Sequence, residues 1–285
     1  MPPKAIRLVV PTRLPTRADG SRLEVLSASS ISLLYRCPEL WRRRYMERVK
    51  DPATERMHMG SSVDAAITGY YRAALVGHQA TEKEVLDWFN TSWQEREAQI
   101  TFTRDPGAAR ECARRALLSY IEDVASTVKP RAVQRTLSAR LAPDLDWAVT
   151  GVLDLETQDG QVIDIKTGSR HRDQAEAERG LQPGIYLWLR MVEGDPACGF
   201  AFHSLRVPTG GPRSTPGVKV VPATWDPKRV LTAPVRMAAA ARLITGLARQ
   251  FGPTGPWPYA DPGTWQCAPE ACPAWGTCPA GAGPA

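Results

Sequence analysis

Apolar residues recur at helical spacing through the first half of the chain and alternate with polar ones through its middle. After Ser27-Ala28-Ser29-Ser30, which offers serine caps, Leu33, Leu34, Leu40, Trp41 and Tyr45 follow a helical period. Pro38 suits a first helical turn and no later one, so a second helix is predicted to begin there. Three more helices are predicted over 60–75, over 81–98, where Thr81 and Glu84 make a capping-box pattern, and over 106–127. The period then shortens, and 133–141, 147–156 and 161–166 read as strands. A helical stretch covers about 172–192 with an interruption near 180–183; strands are predicted at 197–207 and 217–221, and a long helix at 226–251.

Residues 1–26 read as an extended arm, and 252–285, rich in Pro, Gly, Cys and Trp, as a tail that cannot bury itself unaided. The body over 27–251 then carries a helical insertion at about 57–128. Helices, a strand meander, then helix and strands predict an α/β (α+β) fold with a mixed sheet flanked by helices. The pattern shows no internal repeat.

Composition narrows the class. In 285 residues, 43% are hydrophobic and 23% charged, which excludes wholesale disorder, a collagen-like repeat or a coiled-coil rod. No apolar run approaches the ~20 residues of a membrane span, and the basic N-terminus lacks the pattern of a secretory signal. The expectation is a cytoplasmic protein without a membrane partner. Thirty-six Lys and Arg against 30 Asp and Glu give a net charge of +6, a weak pointer to a polyanionic partner. There is neither a phosphate-binding Gly-x4-Gly-Lys-Ser/Thr loop nor a defensible Ser-His-Asp or Cys-His set.

The segment from Trp147 to Gly168 carries the chemistry. On a strand, Asp164 and Lys166 point to one face and Ile163 and Ile165 to the other. A two-residue Asp159-Gly160 turn would put Asp154 on the face opposite Asp164. A three-residue loop with a left-handed Gly160 would instead pair 157 with 161 and 154 with 164. The second register is preferred because it keeps the isoleucines on the buried side. It brings the two carboxylates to within about 5 Å at Cβ. Like charges so placed call for a cation, and hard oxygen donors suit Mg²⁺ or Mn²⁺. Such an ion activates water and neutralises charge growing on a phosphate, with Lys166 beside it to orient the water. Taken alone, the spacing equally describes an ordinary hairpin with a surface Asp–Lys pair.

Six cysteines stand at 37, 112, 198, 267, 272 and 278. Cys267, Cys272 and Cys278 form a three-ligand set, and Cys37, before Pro38, is the natural fourth. Four thiolates suit either an iron–sulfur cluster or Zn²⁺ and would tie the two chain ends together. Cys112 and Cys198 read as buried packing residues, the latter alternating with Phe200 and Phe202.

Several segments now fall into a familiar order: the serine-rich start through Cys37-Pro38 and Trp41, Gly60-x3-Asp64, Gly151-Val-Leu-Asp154, Asp164-Ile-Lys166-Thr-Gly168, Gln182-x3-Tyr186, then the cysteine tail. Over 27–278 the chain resembles the RecB-type branch of the PD-(D/E)XK nucleases, in particular its iron–sulfur subgroup with AddB nuclease domains, CRISPR-adaptation nucleases and phage relatives. That resemblance implies metal-dependent hydrolysis of DNA phosphodiesters, usually by an exonuclease on single-stranded ends, in recombination, repair or phage DNA processing. A helicase or recombinase partner would be in keeping. It implies Asp154 and Asp164 as metal ligands, Lys166 as the catalytic lysine and Gln182 and Tyr186 as the motif on the following helix. Cys37, Cys267, Cys272 and Cys278 would hold a structural [4Fe-4S] cluster. Two departures stand out. Asp64 occupies the place of a metal-binding His, and Gln134 that of an acidic residue on the preceding strand. They motivate a second reading, an attenuated DNA-binding subunit of a recombination complex that keeps the nuclease fold. Arg42, Arg43 and Arg44, set between Trp41 and Tyr45, are candidate DNA contacts or simply a solvated helix face, and Arg170 after the lysine strand is a further DNA candidate.

Overall fold

The computed structural model describes residues 16, 19, 21–50, 53–207, 215–269 and 271–281. Most of the expected arm over 1–26 lies outside them. In chain order the elements are β1 (Glu24–Leu26), α1 (Ala28–Arg36), α2 (Pro38–Tyr45), α3 (Glu55–Leu75), α4 (Glu82–Glu97), α5 (Pro106–Asp123), β2 (Pro130–Arg140), β3 (Trp147–Thr157) and β4 (Gln161–Gly168). They continue with α6 (Gln174–Arg179), α7 (Leu181–Val192), β5 (Gly199–Arg206), β6 (Gly217–Ala223), α8 (Pro227–Val230) and α9 (Thr232–Phe251). Local chemistry sets the boundaries. Ser27 and Ser30 make a reciprocal capping box on α1, Thr81 and Glu84 another on α4, and Cys37 caps α2 just before Pro38. Helix α3 starts five residues earlier than its apolar period suggests, because Thr54 accepts the Met57 N–H as its cap.

The strands form one mixed sheet in the order β1-β3-β4-β5-β6, with β2 also pairing β3. Leu155 lies opposite Ile163 and Glu156 opposite Val162, and the recorded pairing ends there, next to Asp154 and Asp164. The loop between β3 and β4 is three residues, and Gly160 takes a positive φ of 88° that suits glycine. This is the register preferred from sequence. Strand β4 then pairs parallel with β5 along its whole length, which buries it on both sides.

By internal contacts the described chain divides into two units. The first comprises 53–138 and 151–230. In it, α3, α4 and α5 pack Met59, Val63, Ile67, Phe89, Trp93 and Leu117 against Leu155, Ile163, Ala201 and Leu205 of the sheet. Glu156 and Asp164 turn instead toward α7, where they meet Arg190 and Gln182. Glu156 is 1% exposed and accepts from Arg190 Nη1 at 2.9 Å, Arg135 Nη1 at 2.9 Å and Arg131 Nη2 at 3.2 Å.

The second unit comprises 14–52, 139–150 and 231–285. There β1 runs parallel to the first residues of β3, with Glu24 opposite Trp147. The tail is anchored through Glu39, a buried acid on α2 that accepts from Arg42, from Arg43 and from the Trp257 N–H at 2.8 Å. Burial pushes its carboxyl up, but the Arg42, Arg43 and Trp257 hydrogen bonds outweigh it and hold the group at about 2. Trp257 is fully buried and stacks on Trp41 with centroids 5.8 Å apart. Helix α9, with α8 before it, is long and apolar enough to cross a membrane by length and composition alone. Its apolar positions Ala233, Met237, Ala240, Ala241, Ile244 and Leu247 are buried within the protein, and Arg236, Arg242 and Arg249 lie on its exposed side.

Two expectations need correcting. Arg42 is buried, and its guanidinium is taken by Glu39, Glu47 and the Pro253 carbonyl. Arg43 is held by Glu39 and by both the hydroxyl and carbonyl of Thr277. These two arginines brace the tail, and neither presents a free guanidinium to DNA; Arg44 is half-buried beside them. Cys198 is exposed, because β5 begins only at Gly199 and the residue sits on the β3–β4 turn.

The buried Glu156 cluster yields a stability prediction. Glu156→Ala leaves Arg190 and Arg135 inside the unit with only Asp195 and Glu193 as residual partners. Urea unfolding should show a loss of about 3 kcal/mol, near the low end for a broken buried pair. A loss below about 0.5 kcal/mol, typical of a surface site, would contradict this account.

Candidate active site

The site grows out of the β3–β4 hairpin. Asp164 has 0% of its surface exposed. Its Oδ2 lies 2.6 Å from the Lys166 ammonium, two residues along the same strand. Its Oδ1 accepts a 2.8 Å hydrogen bond from Gln182 Nε2, which also donates to the Tyr186 hydroxyl at 2.8 Å. Gln182 and Tyr186 are one turn apart on α7, which Gly180 begins and whose first turn holds Pro183. The absence of a side chain at Gly151 lets the ring of Tyr186 approach, since a Cβ there would lie 2.8 Å from it.

Asp154 is held differently. Its Oδ2 accepts the backbone N–H of Ile165 at 2.9 Å, so the carboxylate takes a ladder donor of β4 for itself. Its Oδ1 accepts from Gln134 Nε2 at 3.4 Å, and the same amide lies 3.4 Å from Thr68 Oγ1 on α3. Gln134 sits in mid-strand with φ +52°, a left-handed conformation uncommon outside glycine. Asp64, one helical turn before Thr68, completes the acidic group from α3.

Electrostatics bind these residues into one system. Burial first and the charge of Asp154 next raise the Asp64 carboxyl to about 6, against the pull of Lys166 and Arg72. Burial also raises Asp154, opposed by Lys166 and the Ile165 N–H. Asp164 is raised most by burial and next by Asp154, while Lys166 lowers it. Tyr186 is raised by burial and by Asp164, so its phenol keeps its proton.

The site is thus a hairpin with one buried and one half-buried carboxylate and a lysine on the same strand, backed by a Gln-x3-Tyr helix. The sequence matches the PD-(D/E)XK nuclease superfamily over residues 25–279. The chain belongs to that superfamily. Among solved structures, the crystal structure of a candidate exonuclease from Eubacterium rectale aligns with a TM-score of 0.57. That alignment covers 87% of this chain and 87% of the other at 12% identity, a likeness of fold. No curated protein matches the sequence.

PD-(D/E)XK nucleases typically use Mg²⁺ or Mn²⁺. The donor set here suits such an ion. Three carboxylates, Asp164 fully buried and Asp154 and Asp64 partly so, share Lys166 as a neighbouring cation, and Asp164 Oδ2 accepts no well-angled hydrogen bond. Among the described residues, however, no three His, Cys, Asp or Glu side chains lie close enough to hold one metal ion together. The acids therefore fit a divalent cation in chemistry, and binding would draw them together and displace their protons.

The expected cysteine ligands sit together in the second unit. Cys37, Cys267, Cys272 and Cys278 line one small cavity, and all are free thiols. Burial and the three neighbouring thiols raise the Cys267 thiol. Of the residues expected at one site, Asp164, Lys166, Gln182 and Tyr186 are joined by direct contacts, and Asp154 and Asp64 are coupled to Lys166 through their charges. Arg56 and Arg172 were missed from sequence, because no local motif marks them and tertiary folding sets them near Lys166.

The raised Asp64 carboxyl gives a pH prediction for the metal-free protein. A carboxyl raised on folding stabilises fully below its unfolded value near 4, and that contribution is lost as pH rises through about 6. Asp64→Asn should therefore gain stability over the parent as pH rises from about 4 to 6, by at most about 1.4 kcal/mol per pH unit, and hold that gain above. Paired urea titrations in EDTA read it; a difference independent of pH would refute the burial of this charge.

Proposed function

We propose that this chain is a metal-dependent deoxyribonuclease that hydrolyses phosphodiesters at DNA ends, an exonuclease of the RecB-type, iron–sulfur branch. Asp154 beside the buried Asp164, with the Lys166 ammonium 2.6 Å from Asp164, carries the reading. A divalent ion held by Asp154, Asp164 and Asp64 would supply Lewis acidity and a more acidic water. Asp164 fixes the Lys166 ammonium, which orients the attacking water and stabilises the oxyanion developing on phosphorus. Gln182 fixes Asp164, and Tyr186, protonated and buried, supports Gln182 from the next turn. Arg170, on the loop after β4, lies where it can meet a DNA phosphate. Single-stranded or end-containing DNA is the proposed substrate, with a helicase or recombinase as possible company in repair or recombination.

The expected loss of activity is steep. Asp164→Asn and Lys166→Ala should each reduce Mn²⁺-dependent cleavage of labelled single-stranded DNA by about 10²–10³-fold or more. Circular dichroism should show both variants folded. Cleavage at parental rate by either would end the assignment.

In the second unit, four thiols around one cavity support a [4Fe-4S] cluster, with Zn²⁺ as the alternative. The proposed body over 27–251 would thereby be closed by the 252–285 tail onto Cys37. Anaerobically purified protein should be brown with stoichiometric iron and sulfide, and Cys278→Ala should lose the colour. A colourless protein carrying only zinc would overturn the cluster.

One observation favours the attenuated subunit. The neutral amide of Gln134 sits beside Asp154, and the three acids are not gathered into a ligand set. Incubation with labelled single-stranded DNA and Mn²⁺ beside an EDTA control separates the readings, since binding without cleavage belongs to the subunit.

A further inference from the structure

A cavity of about 340 Å³ opens beside Lys166 in the first unit. Arg56, from the first turn of α3, lines one part, and Arg170, His171 and Arg172, on the loop after β4, line another. Two acids also reach it, Asp173 and Glu176, and both are engaged locally. Asp173 Oδ1 accepts the Glu176 N–H at 2.8 Å, and Glu176 holds the Arg172 guanidinium at 2.8 Å. Lys166 is held by Asp164. Among the described residues, Arg56 and Arg170 make no hydrogen bond or ion pair, which leaves the cavity two uncompensated positive charges.

The loop that carries Arg170 is anchored before any ligand arrives. The Arg172 N–H donates to Ser204 Oγ at 2.9 Å, and His171 Nδ1 donates to the Ser204 carbonyl at 3.0 Å. Size limits what can enter. The volume is at the low end of small-molecule sites, ~300–1,000 Å³, and too small for a duplex. Charge limits it further. A phosphate monoester carries about −1.5 to −2 at neutral pH, whereas each internal phosphodiester carries a single charge. Two free guanidiniums on separate elements match the monoester, and guanidinium forks suit its oxygens.

We propose that this cavity recognises the terminal phosphate monoester of a DNA strand, held between Arg56 and Arg170 beside Lys166. The identity of the ligand as a strand end rests on the nuclease reading; the site's preference for a terminal phosphate can be tested apart from it. The full chain in EDTA, where no cleavage competes, is titrated into dye-labelled single strands carrying a 5′-phosphate, a 3′-phosphate or hydroxyls at both ends. Fluorescence anisotropy should show one phosphorylated strand bound about tenfold more tightly than the hydroxyl-ended strand. Arg56→Ala and Arg170→Ala should each remove most of that preference. Arg249→Ala, on the exposed side of α9, should keep it. Equal affinity for all three strands, or a preference that survives both substitutions, would overturn the proposal. A protein that discriminates ends but cuts nothing in Mn²⁺ would instead overturn the nuclease reading and leave this site standing.

Discussion

The Asp164 carboxylate is wholly removed from water, and much of the first unit is arranged to make that tolerable. A buried carboxylate costs several kcal/mol unless a cation and hydrogen-bond donors surround it. The strand supplies Lys166 from its own face and α7 supplies Gln182. Strands β3 and β5 flank β4 in the sheet, α3–α5 pack on its Ile163 face and α7 meets its Asp164 face, which keeps water from Asp164. The price of that dry environment is that Asp154 and Asp64 are also pushed toward their neutral forms. A divalent ion would reverse this, because it stabilises the charged form that burial disfavours. The same desolvation thus makes the site unfavourable when empty and receptive to a hard cation.

Much of this could be read from local pattern. The hairpin register followed from asking which loop length keeps Ile163 on the buried side, and the positive φ of Gly160 is the backbone signature of that loop. Helix starts at Ser27, Pro38, Thr81 and Pro106 were legible because capping and proline geometry are decided by neighbours in sequence. Gln182 and Tyr186 were readable as a pair by their helical spacing, though the bond from Gln182 to Asp164 joins residues 18 apart and depends on how α7 lies on the sheet.

What was not legible depends on long-range packing. Asp154 was expected as a side chain facing Asp164 across the ladder, yet it also takes the Ile165 N–H, a contact no periodicity announces. The left-handed turn at Gln134 is equally silent in sequence, since nothing about a glutamine in a β-rich run predicts positive φ. Cys198 misled because alternation with Phe200 and Phe202 continues in sequence past the point where the strand ends.

The arginines show why net charge says so little by itself. Arg42 and Arg43 stand in an Arg-Arg-Arg run between aromatics, the pattern that most suggests nucleic acid, and both are held by Glu39 and the tail. Arg56 and Arg170 stand alone in sequence, yet they are the ones left without partners near Lys166. The difference lies in where the acids are. Glu39 is one helical turn from Arg42 and Arg43, so helix geometry alone brings it to both guanidiniums. Asp173 and Glu176, which line the same cavity as Arg170, are drawn off into the cap of α6 and the Arg172 pair. The field that a polyanion would meet is therefore set by how the acids are satisfied, and a surplus of +6 locates nothing until that is known.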